Sequence, residues 1–207
     1  MRSRYRIQWL FFVSLFFLIG CGTSHHSKNS NFLSDYSRLK ENTRPDAKGS
    51  LVYFNPEKPL SQYSRFIINP IQFRLIRSEI KYNVRPAELQ KFSNYLYQTI
   101  KNELEANGYP VVSEPGPETL LLRIAITDLD YFNPVRSSKV LPGMQWVWEG
   151  ASAEAEIIDA LTGEVVVAVV DTQKGKQKAG ASQFGPVEEV FNHWAKRLVN
   201  RMNEARQ

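Results

Sequence analysis

Three acidic side chains crowd one short stretch, Glu154, Glu156 and Asp159. In an extended segment Glu154 and Glu156 project from one face about 7 Å apart. Carboxylate pairs at separations of that order do general acid–base and nucleophilic work on glycosidic bonds. Alternation of Glu with Ala153 and Ala155 is also the pattern of a strand with one solvated face, and that simpler reading is the expectation. Asp128 and Asp130, at the end of another extended run, carry the same ambiguity. His193 has Glu189 and Arg197 one turn away, but a general base needs a partner and a pocket. Its position off the apolar stripe predicts a solvated surface histidine. His25 and His26 could bind a metal, yet in a polar segment they read as filler. Gly175 to Ser182 has the glycine spacing of a phosphate loop, but Ala181 stands where the phosphate-binding lysine must be. There is no Gly-x-Ser-x-Gly and no His-Glu-x-x-His. A single cysteine excludes an internal disulfide and any zinc site that needs two thiolates. The residues therefore predict no catalytic centre, no metal site and no cofactor.

Two other features carry chemistry of a different kind. Trp146 and Trp148 share one face of an extended segment. Aromatic residues are enriched where proteins meet partners; the alternative is that both pack on the protein's own core. The lone thiol, Cys21, closes a stretch built like a secretory signal. Arg2, Arg4 and Arg6 precede an apolar run from Trp9 to Ile19, about 11 residues and short of the roughly 20 that span a bilayer. Leu18-Ile19-Gly20-Cys21 looks like a bacterial lipobox, with cleavage between Gly20 and Cys21. Cys21 would then carry a diacylglycerol on sulfur and an acyl chain on nitrogen, and several chains anchor stably where one does not. Gly22 rather than Asp follows, which under the Gram-negative sorting rule directs the protein to the outer membrane, facing the periplasm.

Removing residues 1–20 changes the charge argument. The whole chain carries 26 Lys+Arg against 21 Asp+Glu, net +5; without the three arginines the count is 23 against 21, net +2. Nucleic acid is thereby excluded as a partner. The predicted partners are the membrane, through the anchor, and an envelope protein.

The positioning elements follow from periodicity. Gly22 to Asn31 is polar and reads as a flexible tether within residues 21–31, spanning on the order of 17–30 Å. Residues 32–60 read as an irregular arm packed on a single domain over residues 61–207. Arg65 to Phe73 is a strand, with Pro70 forcing an edge or a bulge. Pro86 to Asn107 is a helix with Leu89, Phe92, Leu96, Ile100 and Leu104 on one stripe and Gly108 as its stop. Tyr109 to Val112 is a short strand and Thr119 to Tyr131 a longer one. Ala151 to Asp171 is a hairpin turning at Leu161-Thr162-Gly163-Glu164. Its second arm, Val165 to Val170, is apolar on both faces, as a doubly covered strand would be. Pro186 to Glu204 is the last helix, with Val187, Val190, Phe191, Trp194, Leu198 and Met202 inward. The order β-α-β-β-β-β-α predicts an α+β fold: a mostly antiparallel sheet of about five strands with two helices on one face.

Several stretches resemble a family of bacterial lipoproteins defined by a domain of unknown function. They are Phe32 to Leu39, Leu51 to Tyr53, Tyr63 to Pro70, Ala125 to Asp128 and Gly150 to Glu164, with Asn69 in place of Asp and Ala160 in place of Ser. The resemblance runs from about Phe32 to the C-terminus and brings no catalytic residues. The element order also looks like small α+β domains of envelope lipoproteins in curli export and in activation of cell-wall synthases, a likeness of fold that does not give function. The expected function is a non-enzymatic, lipid-anchored interaction or assembly module. The alternatives are an envelope enzyme acting on cell-wall material, or a lipid- or ligand-binding lipoprotein, which would require an apolar cavity.

Overall fold

The computed structural model describes residues 29–76, 84–132, 147–176 and 182–207. Its strands are β1 (Lys40–Glu41), β2 (Leu51–Phe54), β3 (Arg65–Ile68), β4 (Gln72–Phe73), β5 (Thr119–Phe132), β6 (Val147–Asp159) and β7 (Val165–Lys174). Its helices are α1 (Pro86–Ala106) and α2 (Gly185–Ala205). The class is α+β, as the periodicity predicts, but the sheet is mixed and has seven strands rather than about five. The order across it is β1-β2-β7-β6-β5-β3, with β4 also on β5.

The corrections have physical causes. The run Arg65 to Phe73 breaks at Pro70 into β3 and β4, and both pair with β5 in parallel. Parallel pairing needs a long crossover, and α1 is that crossover. Tyr109 to Val112 contributes only a bridge between Val111 and Phe66. Two strands come instead from the segment expected to be irregular: β2 pairs antiparallel with β7, and β1 with β2. Once β7 extends the sheet, its free edge needs a partner, and Leu51 to Phe54 provides it.

The hairpin β6–β7 forms where the sequence places it. Gly163 has φ +74°, a conformation that costs glycine little. Asp159 Oδ1 accepts the N–H groups of Leu161 and Thr162, both at 3.0 Å, and closes the turn. Helix α1 buries Phe92, Leu96, Ile100 and Leu104, and α2 buries Val187, Val190, Phe191 and Met202. The two helices cover one face of the sheet, and their stripes meet β3, β5 and β6 in the main core. Ser30 to Leu39 lies on the other face, where Phe32 and Leu33 pack against Ala125 and Ala168. Strand β7 is thus covered on both sides, which its uninterrupted apolar run requires.

Candidate functional site

The carboxylates of β6 are not solvated: Glu154 and Glu156 are each 1% exposed. The expectation of a solvated strand face fails because of their surroundings. Across the strands, Glu154 faces Ala125 and Val170, and Glu156 faces Arg123 and Ala168. Small apolar neighbours leave room for the arm to lie flat over both carboxylates. Glu154 Oε1 accepts the N–H of Ser30 at 3.1 Å, and Oε2 accepts the Ser30 hydroxyl at 2.7 Å and the Tyr36 hydroxyl at 2.5 Å. The Tyr36 oxygen in turn accepts the N–H groups of Phe32 (3.0 Å) and Leu33 (3.2 Å). Burial, and then the bond to Glu154, raises the Tyr36 pKa and keeps the hydroxyl protonated as a donor. Glu156 Oε1 accepts the N–H (2.5 Å) and hydroxyl (2.6 Å) of Ser34, and Oε2 accepts Arg123 Nη1 at 2.7 Å. The Arg123 guanidinium also lies 5.1 Å from the centre of the Phe32 ring. All four carboxylate oxygens therefore bond groups of this chain, and buried carboxylates need such partners.

Asp159 belongs to a different arrangement at the tip of β6. Besides the two turn N–H groups, its Oδ2 accepts Tyr63 Oη at 2.9 Å and Lys58 Nζ at 3.2 Å. Burial raises its pKa, but the bonds from Thr162, Tyr63, Leu161 and Lys58 outweigh burial and hold it at about 2. Tyr63 is pushed up to about 12 by burial and by that carboxylate. This carboxylate is a turn organiser, kept ionised.

The opposite face holds an apolar cavity of about 130 Å³ between the sheet and α2. Its floor includes Ala153 and Ala155, its far wall Leu96 and Ile100, and polar groups stand at Asp171, Arg197 and Arg201. Asp171 is buried; its Oδ2 accepts Trp194 Nε1 at 2.8 Å and the Arg197 guanidinium, and its Oδ1 accepts Gln173 Nε2 at 3.1 Å. Arg201 Nη2 bonds both oxygens of Asp46 at 2.8 Å.

The remaining sequence candidates fall as follows. Trp148 is in the core, 4% exposed and edge-on to Phe92 with ring centres 5.5 Å apart, so it contributes packing rather than a partner-facing surface. Trp146, Gly20, Cys21, His25 and His26 lie outside the described residues. His193 is exposed, with Nε2 3.0 Å from the Asp46 carbonyl oxygen. Asp128 sits at a bulge of β5 and its Oδ1 accepts the Leu129 N–H at 2.9 Å. Gly175 packs against the start of α2, where a Cβ would collide with the Pro186 carbonyl. Among the described residues there is no group of three or more His, Cys, Asp or Glu able to hold a metal, and no helix is long and apolar enough to cross a membrane.

Ser30, Ser34, Tyr36 and Arg123 were not singled out from the sequence. Their bonds join residues more than 30 positions apart, and in the arm more than 110. The available signal was the pairing register, which sets Glu154 between Ala125 and Val170 and Glu156 between Ala168 and the cationic Arg123. The two stretches Phe32 to Leu39 and Gly150 to Glu164, quoted above for their resemblance, are the ones that meet here.

The chain is 30% identical over 174 residues to the "Uncharacterized lipoprotein YdcL" of Escherichia coli K12, covering 77% of this chain and 78% of that protein. Among solved structures, a PelC dodecamer from Paraburkholderia phytofirmans aligns at 12% identity and TM-score 0.44, covering 73% of this chain and 96% of that one. A minor lipoprotein from Acinetobacter baumannii aligns at 11% identity and TM-score 0.36, covering 70% and 95%. The family model described as "Protein of unknown function (DUF3313)" matches residues 28–198, and the chain belongs to that family.

Proposed function

We propose that this chain is a lipid-anchored lipoprotein of the bacterial envelope, and that it works as a non-enzymatic interaction or assembly module facing the periplasm from the outer membrane. The observation that carries the reading is the capture of Glu154 and Glu156 by the arm that follows the tether. A general acid or base needs an oxygen directed at substrate, and here each oxygen is bonded to Ser30, Ser34, Tyr36 or Arg123. The lipoprotein name of the Escherichia coli relative supports the anchor, with Cys21 as its attachment point and Gly20–Cys21 as the cleavage site. The residue after Cys21 is Gly22, which supports the outer membrane. An envelope protein is the partner this reading requires.

In-cell photo-crosslinking of the intact lipoprotein tests the module reading. Probes at exposed Leu161 and at position 146 are expected to give a discrete protein adduct. Absence of adducts from every probed position, together with glycan release lost in Glu154→Gln and Glu156→Gln variants, would replace the module by an enzyme. The anchor has a separate test. Cys21→Ser should abolish acyl labelling and move the protein out of the membrane fraction. Retention in the membrane would refute Cys21 as the anchor.

A further inference from the structure

We infer that the free edge of β3 docks a short extended segment of a partner protein, paired with Ile68 as an added strand and carrying an acidic side chain at that position. This names a surface and a kind of partner for the module reading, and rests on that reading.

The register of β3 defines the edge. In a parallel ladder, alternate residues of a strand turn both their N–H and their C=O to the same neighbour. Arg65 and Asn69 donate to the carbonyls of Glu118 and Leu122, so Arg65, Ile67 and Asn69 serve β5 while Phe66 and Ile68 face outward. Phe66 is covered: its N–H reaches the Pro110 carbonyl at 3.0 Å, and its C=O accepts the Val112 N–H at 2.8 Å. The covering segment then bends away at Ser113 and Glu114. Among the described residues none bonds the N–H or the C=O of Ile68. Pro70 has no N–H to offer, so the open stretch is about three residues, roughly 10 Å long. An edge with free N–H and C=O groups is a template for an added strand.

The open stretch borders a groove of about 750 Å³. Ile67, Ile68, Val111 and Val112 line it with apolar surface, and Tyr97 and Lys101 of α1 stand over it. Those two residues are one helical turn apart and share a face. The Tyr97 hydroxyl has no partner among the described residues. Lys101 reaches only Glu105, at 3.9 Å on the surface, a pair that contributes little. A residue added opposite Ile68 projects to the same side of the sheet as Ile68, which is the side of α1. A carboxylate there can accept from the Tyr97 hydroxyl and the Lys101 ammonium together. The flanking residues of the segment fall on the other face, the side of Ile67 and Arg65. The Arg65 guanidinium has no ion pair or hydrogen bond among the described residues. Glu114, the groove's one carboxylate, is exposed and lies past the bend, so two cations outweigh it and favour an acidic segment.

The test uses the full-length lipoprotein in phosphatidylcholine nanodiscs. The probe is an acetylated and amidated pentapeptide, Thr-Val-Glu-Val-Thr, with a diazirine on its second residue. After irradiation it is expected to label tryptic peptides containing Ile68, Tyr97 or Val112. N-methylation of its central residue removes a backbone bond and should weaken binding about fivefold or more. A central Lys in place of Glu should weaken binding up to about fivefold, and Lys101→Glu should reverse that order. Ile68→Pro removes the outward N–H while leaving the bonds of Ile67 and Asn69 to β5, and should abolish labelling with an unchanged circular dichroism spectrum. If that variant does not fold, the N-methylated peptide decides. No binding to wild type at about 1 mM, labels confined to residues outside the groove, or equal binding of the methylated and parent peptides overturns the edge site. Equal binding of the Glu and Lys peptides overturns the acidic assignment. A wild-type dimer that Ile68→Pro dissociates would give the edge to a second copy and overturn the partner assignment. Failure of the peptide alongside discrete in-cell adducts removes this site alone; absence of adducts from every probed position removes the module reading itself.

Discussion

At the scale of single residues, one hydroxyl and two carboxylates hold the arm down together with the buried side chains of Phe32 and Leu33. Tyr36 is a relay: its oxygen accepts two arm N–H groups and its hydrogen goes to Glu154. Removing Glu154 orphans the Ser30 N–H, the Ser30 hydroxyl and the Tyr36 hydroxyl at once. Glu154→Ala should therefore cost about 2–3 kcal/mol in urea denaturation. Amide exchange should accelerate selectively at Phe32 and Leu33, with β3 and α1 unchanged. Asp159 makes a pH-dependent contribution of opposite character to a raised acid. Its folded pKa lies near 2, below the ordinary 3.8, so the folded state binds fewer protons than the unfolded chain in that interval. The stabilisation is complete above pH 3.8 and drains as pH falls towards 2. Against Asp159→Asn, the wild type should hold a constant advantage from pH 5 to 7, at most about 2 kcal/mol, that shrinks steadily between pH 4 and 2. An advantage that grew on acidification would contradict this assignment.

At the scale of elements, local chemistry and tertiary pairing separate cleanly. The two helices were legible because a stripe at three- and four-residue spacing specifies both the element and its buried face. The hairpin was legible because Gly163 and the alternation around it fix turn and register together. Strands β1 and β4 are two residues long and carry no period to detect. The parallel alignment of β3 with β5 depends on how a crossover packs, which no local pattern states. The carboxylates of β6 were visible as residues but not as a site, since burial came from an arm more than 110 residues earlier in the chain. Glycine spacing misled in the other direction. Gly175, which resembled part of a phosphate loop, is required by the close approach of β7's exit to α2. Gly175→Ala must displace the first turn of α2. It is expected to lower stability by about 1–3 kcal/mol, read as a shift in the urea midpoint without a change in slope.

At the scale of the whole molecule, the proposed anchor makes the arm the element that determines how far the domain can stand from the membrane. On the proposal that Cys21 is the anchored residue, nine residue steps reach Ser30, which the chain can span by at most about 30 Å. Two pins then act in series. The first is the grip of Glu154 and Glu156 on Ser30, Ser34 and Tyr36. The second is the α2 end, where Arg201 holds Asp46, and Glu204 accepts Arg44 Nη2 at 2.8 Å. Opening the first pin alone lengthens the leash to Lys40, where β1 begins, and raises that limit to about 65 Å. The second pin and the pairing of β1 with β2 stop it there. A fluorophore on exposed Leu161, paired with acceptors in a supported bilayer, reads this distance. Energy transfer should fall in Glu154→Ala/Glu156→Ala while the domain keeps its fold, and adding Asp46→Ala should lower it little further as long as β1 stays paired. Unchanged transfer in the double variant would mean that the carboxylates secure the arm without setting the reach of the domain.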